Sequence, residues 1–85
     1  MGSLDSWVRY WAGRGPARPA LVVGDTVVTW GELADRAGRL AAGMAERGAG
    51  AGDRIDIVTR DPLVLVEMLA ACAYRGAVAV PRDPG

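Results

Sequence analysis

Between Leu63 and Arg75 the chain carries one interior charge, Glu67, in a run otherwise built of Leu, Val, Met, Ala, Cys and Tyr. A helix that is apolar nearly all round must be covered on more than one side. Its start is marked by Asp61 as N-cap and Pro62 at the first helical position, where a missing amide costs nothing. Gly76 closes it. Before it runs Arg54-Ile55-Asp56-Ile57-Val58-Thr59, which reads as a strand. After it runs Ala77-Val78-Ala79-Val80, a short, uniformly apolar strand of the kind found inside parallel sheets. Strand, crossover helix and strand fit a right-handed βαβ unit. Leu63, Val66 and Ala70 on this helix, with Val78 and Val80 on the strand after it, are the candidate surface for a covering partner.

The upstream half supplies smaller elements. Leu4, Trp7, Val8 and Trp11 fall at i, i+3, i+4 and i+7, so Ser3–Gly13 reads as a short amphipathic helix with Ser3 as N-cap. Trp7, Trp11 and Trp30 are expected to pack the elements together. Ala20-Leu21-Val22-Val23 and Thr26-Val27-Val28 flank Gly24-Asp25, a link whose leading glycine suits the type II′ hairpin turn. Thr29–Arg47 then carries an apolar stripe of Leu33, Ala37, Leu40, Ala41 and Met44. Thr29 and Glu32 have the spacing of a capping box, and Glu32 with Arg36 and Asp35 with Arg39 form i,i+4 pairs. The expected fold is a partial α/β domain: an N-terminal helix, a β-hairpin, an amphipathic helix and a βαβ unit with a parallel strand pair.

Composition narrows the chemistry. In 85 residues there is no His, Lys, Asn, Gln or Phe, which excludes a histidine-based triad, a histidine metal site and a Schiff-base or phosphate-binding lysine. Ten arginines balance ten acids, so no strong field gathers polyanions and nucleic acid is not an expected partner. Cys72 is the sole cysteine, which points to a reducing, cytoplasmic setting. Met1–Trp7 lacks the pattern of a signal peptide. The apolar stretch Pro62–Tyr74 falls short of the ~20 residues a bilayer requires, so no membrane partner is expected.

Several residues invite a chemical reading and yield a structural one. Gly48, Gly50 and Gly52 resemble a phosphate cradle in composition, but they follow a helix and open a strand, the reverse of a phosphate loop. Cys72 has no cation of the Lys or His type to lower its pKa and reads as a buried, inert thiol. Glu67 reads as the one wet edge of its helix. Asp25, Asp53, Asp61 and Asp83 read as turn and cap residues. Arg9, Arg14 and Arg18 make a loose basic cluster that reads as a solvated face. No catalytic, cofactor-binding or metal-binding residue follows from the sequence.

The segment Val28-Thr29-Trp30-Gly31-Glu32-Leu33 resembles the first core motif of the adenylate-forming enzymes, the superfamily of acyl-CoA synthetases and the adenylation domains of nonribosomal peptide synthetases. Ala71–Pro84, reading ACAYRGAVAVPRDP, resembles the second core motif of the same superfamily. The likeness runs over roughly residues 4–84. Tyr74-Arg75-Gly76 and Arg82 depart mildly from the family pattern. The resemblance gives Thr29, Glu32, Gly76 and Pro81 a structural role, as helix caps and strand ends of the large N-terminal domain. The family's phosphate loop, adenine motif, ribose-binding aspartate and catalytic lysine have no counterpart in these residues.

The resemblance therefore implies the N-terminal structural part of an ATP-dependent acyl- or aminoacyl-AMP-forming ligase, with ATP and Mg belonging only to the completed enzyme. A complementing polypeptide is the expected partner. The alternative is a non-catalytic interaction module, self-associating as a homodimer or docking a partner through its apolar face. A third reading, a small nucleotide-binding protein, needs a phosphate cradle that the sequence does not offer.

Overall fold

A computed structural model describes residues 3–85; Met1 and Gly2, which begin the segment read for a leader, lie outside the described residues. The element order is α1 (Leu4–Arg14), β1 (Pro19–Val23), β2 (Thr26–Thr29), α2 (Trp30–Glu46), β3 (Arg54–Val58), α3 (Pro62–Arg75) and β4 (Val78–Arg82). β1 and β2 pair antiparallel, with Val23 opposite Thr26, and β3 and β4 pair parallel, with Arg54 opposite Val78. Gly24 has φ +58° and Asp25 has no positive φ, the pattern that a type II′ turn requires. The α/β class, the hairpin and the parallel pair agree with the sequence expectation.

Each helix begins and ends where local chemistry dictates. The Glu32 amide donates to Thr29 Oγ1 over 3.1 Å while the Thr29 amide donates to Glu32 Oε1 over 2.9 Å, closing the capping box of α2. Asp61 Oδ1 accepts the Leu63 amide over 2.9 Å at the start of α3, with Pro62 in the first turn. Gly76 ends α3 at φ +69°, a left-handed conformation that disfavours any side chain. At α1 the expectation is met in position only. Ser3 occupies the N-cap, but its hydroxyl donates to the Asp5 carboxylate and makes no cap bond to a backbone amide.

Small residues bring the helices together. Ala37 of α2 and Ala70 of α3 are fully enclosed in one cluster with Val8, Val28 and Leu33, and Leu21, Trp30, Leu63, Val66 and Tyr74 pack around it. Ala71 and Cys72, the next two residues of α3, are buried as well, so the helix is covered on more than one side. The connector before β1 runs close over the start of α2, where the Gly31 amide donates to Pro16 O over 3.0 Å. A Cβ on Gly31 would lie 3.1 Å from Pro16, so glycine permits this approach.

Five expectations change. Leu40, placed on the apolar stripe of α2, stands exposed at its edge. Trp7 projects outward, because Val8 and the α2–α3 pair already fill the space beneath α1. Glu67 is not a wet edge: it is largely enclosed and paired with Arg36. Arg36 thereby leaves Glu32, whose carboxylate is taken by the Thr29 amide. The last strand is not enclosed, since Val78 is 49% exposed and β4 has only β3 as a neighbour among the described residues.

Candidate functional site

The two motif segments contribute architecture. Thr29 and Glu32 meet at the start of α2, and hydrogen bonding from the Thr29 backbone, then from its hydroxyl, holds the Glu32 carboxyl below its ordinary value. Gly76 accepts the Gly52 amide over 3.0 Å, which ties the end of α3 to the loop before β3. Pro81 lies opposite Ile57 in the parallel pair. A proline has no amide to give a ladder, so an edge strand is where it fits.

The glycine-rich loop is closed upon itself. Gly48 donates to Ala45 O, Ala49 to Met44 O, Gly52 to Gly76 O and Asp53 to Gly50 O. The Gly50 amide donates to Asp53 Oδ2 over 2.8 Å. Arg75 clamps the same loop, its Nε and Nη2 both donating to Ala49 O, over 3.0 and 2.9 Å. A cradle for phosphate needs backbone amides aimed outward at an anion. Here they are bonded internally, so this loop does not form such a cradle.

The turn after β3 behaves alike, with the Asp61 amide bonded to Thr59 Oγ1 and the Leu63 amide to Asp61 Oδ1. Among the described residues, no three His, Cys, Asp or Glu side chains gather as a metal site. Cys72 is buried and desolvation pushes its thiol up, away from the thiolate that a nucleophile needs.

The five residues marked as a candidate partner surface divide. Ala70 is at zero exposure inside the core, and Leu63 and Val66 are half-buried against the same cluster, so α3 spends them on α1, α2 and the hairpin. Ala70 is thus removed from any outward face. Val78 and Val80 stand on β4, opposite Arg54 and Asp56 of β3; Val78 is exposed at one end of this strand pair and Val58 at the other.

Sequence reasoning missed the long-range polar contacts. Arg36 Nη1 reaches Glu67 Oε2 over 2.9 Å between α2 and α3. Arg9 lies 4.3 Å from the centre of the Tyr74 ring, joining α1 to α3, while burial pushes the Tyr74 hydroxyl up. No motif spacing announces such pairs. A lone acid on an apolar helix was the available signal for Glu67. The Trp11–Trp30 stack, at 6.3 Å and 24°, is by contrast the packing between elements expected of these rings.

The described residues form a mixed α/β fold of three helices, one antiparallel strand pair and one parallel strand pair. The family model described as AMP-binding enzyme matches residues 8–85. The chain belongs to that family. It is 40% identical over 67 residues to p-hydroxybenzoic acid--AMP ligase FadD22 of Mycobacterium tuberculosis, covering 79% of this chain and 9% of the relative. It is 34% identical over 73 residues to tyrocidine synthase 3 of Brevibacillus parabrevis, covering 86% of this chain and 1% of the relative. The solved fatty acid AMP ligase of Legionella pneumophila superposes with a TM-score of 0.88 at 29% identity, over 96% of this chain and 15% of that one. These 85 residues therefore span a tenth or less of the length of either curated relative.

Proposed function

We propose that this chain supplies the N-terminal structural part of an ATP-dependent ligase that forms an acyl- or aminoacyl-AMP, and that it contributes sheet, caps and core while further polypeptide contributes the chemistry. The family match over residues 8–85 carries this reading. The internally consumed amides of the glycine loop support the division of labour, since they leave nucleotide recognition to other segments.

Surface area supports it as well. A self-contained monomer of 8.9 kDa exposes roughly 4,800 Å², whereas this chain exposes 5362 Å². In the completed enzyme, ATP and Mg bind outside these residues and activate a carboxylate for transfer to a thiol.

The test is ATP–pyrophosphate exchange across a panel of aryl, fatty and amino acids. Exchange is expected only when the polypeptide carrying the remaining motifs is present. Exchange catalysed by the 85-residue chain alone contradicts the proposal.

A second reading is a non-catalytic module that self-associates through its sheets. It draws on the exposed valines that face each other across strands, Val22 with Val27, and on Val58 and Val78 of the parallel pair. Light scattering over a concentration series distinguishes a stable homodimer from a chain that awaits its complement.

A further inference from the structure

The side chains of the parallel pair leave its register under-determined. β3 alternates, with Ile55 and Ile57 turned inward and Arg54 and Asp56 outward, so its own face is set. Ala77-Val78-Ala79-Val80 leads β4 and is apolar on both faces. A slip of such a strand exchanges one apolar face for another, which costs little, yet each residue of slip moves β4 about 3.3 Å along its partner. The pairing of Arg54 with Val78 must therefore be chosen by contacts outside the strand pattern.

The two ends of the pair differ in what they supply. At the far end Arg82 Nε lies 3.3 Å from Asp56 Oδ1, with both side chains more than half exposed, and a surface bridge of that kind contributes little. At the near end the backbone sets the rungs: the Val78 amide donates to Asp53 O over 2.7 Å and the Gly52 amide to Gly76 O over 3.0 Å. Both bonds need the 48–53 loop to stay against the end of α3. With Gly48, Gly50 and Gly52 in it, that loop has much conformational freedom to lose. Arg75 supplies the restraint, its half-buried side chain giving Nε and Nη2 to Ala49 O. The guanidinium fits closely, since a Cβ on Gly50 would lie 3.1 Å from Nη2.

We propose that Arg75 is a register latch: a positioning residue that holds the glycine loop against the end of α3 and thereby selects how β3 pairs with β4. The latch does not depend on the ligase reading, because every contact it uses lies within the described residues.

Amide hydrogen exchange of the full chain, followed by NMR, tests the latch. Arg75→Ala leaves a strong helix former in α3, so amides in the middle of α2 and α3, Ala41 and Ala70 among them, are expected to keep the parent rates. Those of Gly52, Asp53 and Val78 should exchange about 10-fold or more faster, the loss of charge-assisted bonds being read as local opening. Arg75→Lys keeps the charge but not the planar fork, and its rates should fall between. Where Arg75→Ala fails to fold, Arg75→Lys carries the same comparison. Acceleration spread evenly over the helices would make Arg75 a general stabiliser and overturn the proposal. So would unchanged rates at Gly52, Asp53 and Val78.

Discussion

Arg36 of α2 and Glu67 of α3 are joined over 2.9 Å, with the Glu67 side chain only 14% exposed and that of Arg36 38%. This pair fixes how the two longest helices sit against each other, across the contact that also encloses Ala37 and Ala70. The asymmetry in exposure decides what its loss costs. Arg36→Ala strands a carboxylate that water reaches poorly, whereas Glu67→Ala strands a guanidinium that can rehydrate. Urea unfolding should show Arg36→Ala losing about 1–2 kcal/mol and Glu67→Ala less. Equal losses would mean the pair behaves as an exposed surface bridge.

Glycine substitutions in α2 should differ in sign. A Cβ at Gly31 meets Pro16 at 3.1 Å, while one at Gly38 meets nothing within 4 Å. Gly38→Ala is expected to stabilise by about 0.5–1 kcal/mol through helix propensity. Gly31→Ala should destabilise, because it pushes the connector off the helix start. Thermal melts of the two variants check this, and a stabilised Gly31→Ala would refute the close approach.

The capping box carries an acid dependence. Glu32 has its pKa lowered from 4.5 by the Thr29 backbone and hydroxyl. A carboxyl with a depressed folded-state pKa adds stability at pH above 4.5, and that contribution disappears as pH falls through the folded value. Glu32→Gln should therefore be less stable than the parent at pH 7 and converge with it in acid. Denaturant midpoints between pH 7 and pH 2 test the convergence. Thr29→Ala, which removes one cap bond, should cost about 1 kcal/mol at neutral pH.

Cys72 offers a simple reporter. Its burial and raised pKa predict negligible reaction with a thiol reagent in the native chain and prompt reaction after denaturation. Rapid labelling of the native chain would show that α3 opens readily.

Much of this structure was legible because its determinants are local. Thr29 with Glu32, Asp61 with Pro62, Gly24 at its turn and Gly76 at its helix end each act within a few residues, so spacing suffices to place them. What was hidden lies across the chain. Arg36 and Glu67 are 31 residues apart, and Arg75 and Ala49 are 26 apart. Trp7 and Val8 share one apolar stripe in sequence, yet only one fits beneath α1, and the smaller, β-branched side chain took the interior. Periodicity reports which side of a helix is apolar and not how wide a strip its neighbours can cover.

On the proposed reading this chain provides walls of the ligase and leaves the nucleotide site to other segments. Titrating ATP with Mg into the isolated chain, and then into the chain joined by the polypeptide carrying the remaining motifs, measures it directly by calorimetry. Binding heat should appear only in the second titration. A saturable heat with the 85-residue chain alone would contradict the account.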